Sequence, residues 1–221
     1  MGDLAGDLGR AGLFEGVERP VLDRLAGASV VRSLRRGQIL FDQGDPGGTL
    51  VAVLDGRLAL SLHSRDGDRM VLGVVTGGGT LGELSVADGG PRSSGAEALE
   101  ATRVALIPRA AVLAAAAASP QLLDRLFCEL AGIARRQTDA SADLTFLDLP
   151  RRLARRLLTS ANGEDVVDLG LSQRDLAAMV GGSRQSVNQA LGEFQRRGWL
   201  KLEGTSIRLL DSPALSRYAE A

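Results

Sequence analysis

The spacing of apolar and polar positions changes rhythm twice along the chain. Residues 4–27 place Leu22, Leu25 and Ala26 on a short helical stripe. From Val30 to about Ile107 the pattern becomes a series of brief apolar runs. It predicts strands over Val30–Leu34, Gln38–Phe41, Leu50–Leu54, Arg57–Leu62, Met70–Val75 and Arg103–Ile107. Turn residues separate them: Arg36-Gly37, Gln43 to Gly48, Asp55-Gly56, Asp66-Gly67 and Gly77 to Gly79. Asp-Gly pairs favour tight hairpins because glycine adopts positive φ freely. Regular short strands with glycine-rich turns predict a β-barrel or jelly roll.

The second change comes after Ile107. Pro108 to Ser119 is alanine-rich and reads as helix. Pro120 then opens a long helix, as proline suits a first turn. Leu123, Leu126, Leu130, Ile133, Gln137, Ala140, Leu144 and Leu147 alternate in steps of three and four. That spacing predicts a coiled-coil seam and hence a homodimer, and it also suits a helix packed on its own barrel. Cys128 falls outside the seam and is expected to be a small buried apolar residue. Asp148-Leu149-Pro150 resets the chain, with Asp148 as an N-cap for a helix over Arg151–Leu158. Asn162-Gly163 reads as a turn.

The last segment has its own signature. Ser172-Gln173-Arg174-Asp175 is a capping sequence ahead of apolar Leu176, Ala177 and Val180. Gly181-Gly182 makes a tight turn, and Ser183 caps a second helix containing Val187, Ala190, Leu191 and Phe194. Helix, glycine turn and capped helix form a helix-turn-helix. Gly198 to Leu209 reads as a two-stranded wing closed at Glu203-Gly204. The first turns of such a second helix enter the DNA major groove. Arg184 suits guanine O6/N7, and Gln185 or Gln189 suits adenine N6/N7, with Asn188 on the same face. Ser183, Ser186 and the helix N-terminus suit phosphate, and Ser172 and Gln173 at the start of the first helix are also expected to contact DNA.

Composition removes several alternatives. One cysteine, Cys128, and one histidine, His63, cannot supply a disulfide framework, a Cys-based metal site or a histidine cluster. No nucleophile-elbow motif accompanies His63, so an enzyme is not expected and no catalytic or metal-ligating set is assigned. No run approaches the ~18 apolar residues of a membrane-spanning helix, and no signal peptide is visible, so the expected location is the cytoplasm. The net charge of −1 divides unevenly: residues 1–148 carry −4 and residues 149–221 carry +3. The basic excess coincides with the DNA-binding motif.

Three segments, Gly37 to Asp45, Phe146 to Ala154 and Gly182 to Asn188, together resemble the cyclic-AMP receptor protein (Crp/Fnr) family of bacterial transcription regulators. Leu81-Gly82-Glu83-Leu84-Ser85 followed by Gly90-Pro91-Arg92-Ser93-Ser94 resembles that family's phosphate-binding cassette. The chemistry is sound on its own. Arg92 offers a planar guanidinium to a cyclic phosphodiester, and Ser93 a hydroxyl donor. A Glu83–Arg92 pair that only staples a loop is the plainer alternative. The resemblance implies that Gly82, Glu83, Leu84, Arg92, Ser93 and Ser94 bind a cyclic nucleotide, with Glu83 on the ribose. It places Gln137-Thr138 where cyclic-AMP responders carry Thr-Ser or Thr-Asn against the base. Gln137 could bond an adenine edge or only fix helix register.

The expected fold is therefore α+β: a double-stranded β-helix (jelly-roll) cyclic-nucleotide-binding domain over residues 1–119, a dimerisation helix over 120–147, and a winged helix-turn-helix over 148–221. The expected function is a homodimeric, cyclic-AMP-responsive regulator with no cofactor. Its partners would be a near-palindromic double-stranded operator, the nucleotide, a second copy and, by resemblance, RNA polymerase. The alternatives are a constitutive or other-nucleotide-responsive regulator, and a nucleotide-binding protein whose wing docks a protein.

Overall fold

The strand run Leu50-Val51-Ala52-Val53 is apolar without alternation because both of its faces are covered. It belongs to β3 (Thr49–Asp55) in the computed structural model, which describes residues 3–161, 163–168, 170–204 and 206–220. Val51 and Val53 pack between two sheets with Leu34, Leu58, Leu81, Ala96, Ala98 and Val104. Leu50 and Ala52 face the other way, onto a helical layer with Leu8, Phe14, Leu22, Leu25, Val112 and Leu122. An alternating pattern signals a strand with one wet face, and this strand has none.

Around β3 run β1 (Val30–Leu34), β2 (Ile39–Phe41), β4 (Arg57–His63), β5 (Arg69–Thr76), β6 (Thr80–Leu81), β7 (Gly95–Ala98) and β8 (Thr102–Pro108). They form two four-stranded sheets in the orders β1-β8-β3-β6 and β2-β7-β4-β5, a jelly-roll arrangement. The helical layer comprises α1 (Leu4–Gly9), α2 (Arg19–Ala28), α3 (Glu83–Asp88), α4 (Arg109–Ala118) and the start of α5 (Pro120–Phe146). All six strands expected from the sequence are present within a residue or two at each end. The two-residue β6, the short α3 and the small-residue strand β7 have no signature in the apolar pattern.

The chain divides into two compact units: Met1–His63 with Leu72–Arg135, and Ser64–Val71 with Arg136–Ala221. In the second unit, α6 (Leu149–Ala161) starts earlier and ends later than the sequence suggests. Asp148 Oδ1 accepts from the Arg151 amide at 3.0 Å, the expected N-cap. The Asn162 half of the expected turn and Thr205 in the wing lie outside the described residues. α7 (Gln173–Val180) and α8 (Arg184–Arg196) follow, then the wing strands β10 (Leu200–Glu203) and β11 (Ser206–Leu209), with β9 (Val166–Val167) extending the sheet in the order β10-β11-β9. The terminal helix α9 (Ser212–Glu220) was not expected, and Asp211 Oδ1 caps it by accepting from the Ala214 amide at 2.9 Å. One core joins these elements around Leu153, Leu157, Leu191, Phe194, Leu200 and Leu215.

Two expectations on α5 need correction. Leu126 is 8% exposed and belongs to the barrel unit's own core, so it is not open to a partner as a seam residue. One position on, Phe127 is 63% exposed. In the barrel unit the outward side thus carries Leu123 and Phe127, because the 3-4 pattern contains an inward side as well as an outward one. Cys128, expected to be buried, is exposed.

Candidate functional site

The residues Leu81 to Ser94 build a cradle around one cation. β6 ends at Leu81, and Gly82 turns the chain at φ +96° into α3. A Cβ at Gly82 would lie 2.3 Å from Arg92 Nη1 and 2.9 Å from the Thr49 carbonyl. Glycine is required there both by the dihedral and by the approach of the guanidinium. Ser85 Oγ donates to the Pro91 carbonyl at 3.1 Å and ties α3 to the following loop. The Arg92 amide donates to Asp45 O at 2.8 Å, and the Gly44 amide donates to Arg92 O at 2.9 Å.

Arg92 is only 6% exposed. Its Nη2 donates to Thr49 Oγ1 at 2.7 Å, and its guanidinium carbon sits 4.2 Å above the Phe41 ring centre. Its Nε and Nη1 are buried and meet no hydrogen-bond acceptor among the described residues. Burial lowers the Arg92 pKa from its ordinary value, while the nearby Glu83 and Asp45 carboxylates pull it back up. Arginine stays charged under such conditions. The pocket therefore holds a buried positive charge with two donors in need of acceptors, and it suits an anion with more than one oxygen.

The structure brings Gly82, Glu83, Arg92 and Ser94 into this cradle, with Glu83 at 5% and Ser94 at 8% exposure. Ser93 and Leu84 are exposed on the same cassette. Gln137 and Thr138 are exposed residues of α5 and belong to the second compact unit. Thr49 and Phe41 join the site from outside the sequence motif. Their contact with Arg92 is tertiary, and no local pattern announces it.

The second candidate surface lies on α7 and α8. Ser172 and Asp175 make a reciprocal capping box, with the Asp175 amide donating to Ser172 Oγ at 3.1 Å and the Ser172 amide to Asp175 Oδ2 at 3.3 Å. Asp175 Oδ1 also accepts from Arg69 Nη1 at 2.9 Å, within the same compact unit. Gly181 turns the chain at φ +66°. Ser183 Oγ then caps α8 by accepting from the Ser186 amide at 3.0 Å, and the two hydroxyls lie 2.8 Å apart. Val187, Ala190, Leu191 and Phe194 are buried on the inner face of α8. Arg184, Gln185, Asn188 and Gln189 are exposed on the outer face and line an open depression of about 590 Å³. That is a polar face on an apolar support, an arrangement that suits groove recognition.

The wing places Lys201 directly opposite Arg208, and Glu203 pairs with both at 3.2 and 3.0 Å. Behind it, the rings of Phe194, Trp199 and Tyr218 lie within 5.4–5.7 Å of one another.

Comparison with known proteins decides the family. Residues 31–119 match the model of the cyclic nucleotide-binding domain, and residues 151–218 match the Crp-like helix-turn-helix domain. The CRP-like cAMP-activated global transcriptional regulator of Mycobacterium tuberculosis is 35% identical over 219 residues, covering 96% of this chain and 98% of that protein. The chain belongs to the Crp family. Members are transcription regulators, not enzymes. FixK2 of Bradyrhizobium japonicum superposes with a TM-score of 0.77 at 24% identity, covering 86% of this chain and 96% of that one. The c-di-GMP responsive global regulator CLP of Xanthomonas campestris gives 0.72 at 24% identity, covering 87% and 99%. At these identities the likeness is one of fold. In Crp-family terms, the first matched domain contains Arg92 and its neighbours, and the second contains the exposed face of α8. No helix among the described residues is long and apolar enough to cross a membrane.

Proposed function

We propose that this Crp-family chain is a homodimeric regulator that binds cyclic AMP and, in response, a near-palindromic DNA operator. Its divisions would be a sensor over residues 1–119, a dimerisation helix over 120–147 and a DNA-binding domain over 148–221. The observation that carries the proposal is Arg92, buried at 6% exposure with Nε and Nη1 meeting no acceptor among the described residues. A cyclic phosphodiester supplies one negative charge and two free oxygens, which matches that deficit. In this scheme Arg92 and Ser93 hold the phosphate, Glu83 the ribose hydroxyl, and Gln137-Thr138 the base.

Leu123, Phe127, Leu144 and Phe146 are 43–79% exposed along α5, an apolar load that a second copy would cover. The paired α8 helices would read half-sites roughly 34–36 Å apart, one turn of DNA. Such a regulator works in the cytoplasm and meets RNA polymerase at its promoters. Nucleotide and operator would raise each other's affinity by the same factor.

A second reading concerns the effector. The Gln137-Thr138 pair differs from the Thr-Ser or Thr-Asn of cyclic-AMP responders and favours a different base or a ligand-independent regulator. Calorimetric titration with cyclic AMP, cyclic GMP and cyclic di-GMP, beside an Arg92→Ala variant, separates these. Cyclic-AMP binding that the variant loses supports the proposal. Binding of another nucleotide changes the effector and keeps the pocket. Binding of none refutes the sensor assignment and leaves a constitutive regulator.

A further inference from the structure

One arginine outside both surfaces gathers the ends of two helices. Arg152, in the first turns of α6, donates from Nη1 to Leu147 O at 2.8 Å, from Nε to Val180 O at 2.9 Å and from Nη2 to Gly181 O at 3.2 Å. Leu147 O follows the last residue of α5, while Val180 O and Gly181 O close α7. Carbonyls at helix C-termini lack intrahelical partners and carry partial negative charge, so a guanidinium is well matched to them. All of these residues belong to one compact unit.

The turn between α7 and α8 is pressed onto the same junction. A Cβ at Gly182 would lie 2.0 Å from Leu149 Cδ1, and one at Gly181 would lie 3.4 Å from Leu144 Cδ2. Gly181 has the positive φ that a turn demands, whereas Gly182 does not. Gly182 is glycine because Leu149 occupies the space of a side chain. An Asp143–Arg155 ion pair spans the same joint between α5 and α6.

We infer that Arg152 and Gly182 are positioning residues that set the direction of the recognition helix α8 from the α5–α6 junction. A helix-turn-helix fixes the angle between its own two helices. The Arg152 contacts add a second constraint, between that pair and the end of α5. Loss of this constraint should leave phosphate attraction in place, because the exposed cations remain. It should blunt base reading, which depends on where α8 sits to within a fraction of a hydrogen bond's length.

The inference rests on the DNA-binding role proposed above, and the test keeps the two apart. Wild-type protein selects preferred duplexes from a random pool. Its affinity for the selected duplex is then compared with that for an unrelated duplex of equal length, for wild type, Arg152→Gln, Arg152→Lys, Gly182→Ala and the double variant Gly182→Ala/Leu149→Ala. Melting is followed in parallel. Arg152→Gln is expected to weaken selected-duplex binding about tenfold, given the strength of charged hydrogen bonds, with little change for the unrelated duplex. Arg152→Lys, which keeps the charge but not the fork, should recover part of the loss. Leu149→Ala should restore room for the Gly182→Ala methyl and with it discrimination. Wild-type discrimination in Arg152→Gln overturns the inference, as does a parallel loss on both duplexes that tracks melting. A wild-type protein that selects no sequence overturns the DNA-binding role itself.

Discussion

Under the proposed function Arg92 and Arg184 would both meet phosphate-bearing ligands, and their settings are opposites. Arg92 is held by a ring, a hydroxyl and a glycine's missing side chain, and it is nearly closed to water. Arg184 stands exposed at the first turn of α8, on a helix whose hold on the fold lies on its other face. A buried cation must be arranged before its ligand arrives, since an unpaired charge inside a protein is costly. An exposed one is solvated and needs only a rigid platform. Substitution in the first setting should therefore disturb structure and binding together, and in the second binding alone.

The largest effect is expected for Arg92→Ala. Two charged hydrogen bonds and a Coulombic contact would be lost, which should weaken nucleotide binding at least about a hundredfold. Titration calorimetry measures it, and binding within threefold of wild type would break the contrast. Gly82→Ala should follow, at about 2 kcal/mol of stability from the left-handed backbone and the forced shift of Arg92. Its melting temperature and nucleotide affinity should fall together, whereas a melting change alone would mean that Arg92 can settle elsewhere. Arg184→Ala is expected to cost on the order of tenfold in operator affinity and to erase one base preference. Its nucleotide affinity and melting temperature should match wild type, and a drop in either would give Arg184 a structural share.

The smallest effect concerns the wing. Hydrogen bonds from Arg208 and Lys201 hold the Glu203 carboxyl below its usual pKa. A depressed folded-state pKa means that its contribution is present above the ordinary carboxylate range and fades as pH falls through the lowered value. Glu203 is exposed to solvent screening, so Glu203→Gln should melt only slightly below wild type at pH 7, with the gap closing on acidification. A gap that widened toward low pH would contradict this.

The two settings also differ in how much the sequence reveals. The α7–α8 module is legible almost residue by residue: Ser172 with Asp175, Gly181, Ser183 and the split between polar and apolar faces all act within a few positions of one another. The cassette is legible only through its motif. Thr49 lies 43 residues from Arg92, and its contact exists only because two sheets close over each other. β7 reads Gly95-Ala96-Glu97-Ala98, residues with weak strand preference, and tertiary pairing with β2 and β4 decides it. The long helix shows a third kind of limit. Its heptad spacing is visible, but the same spacing fits a stripe through Leu126 or one through Phe127, and only the barrel beneath Leu122 and Leu126 selects between them. The helix α9 has a start signal in Asp211 and Pro213. Its apolar face is short, with Leu215 and Ala219 as the buried positions, and so brief a pattern does not separate a docked helix from a polar tail.

The aromatic cluster behind the wing has a spectroscopic consequence. Trp199 and Tyr218 are the only tryptophan and tyrosine in the chain, and both stack with Phe194 in the C-terminal core. Excited at the red edge of the aromatic absorption, intrinsic fluorescence comes from one indole in one unit. A melt followed that way tracks the DNA-reading half while the jelly roll stays dark. Far-ultraviolet dichroism sees both halves. The difference between the two curves gives each unit its own transition without cutting the chain.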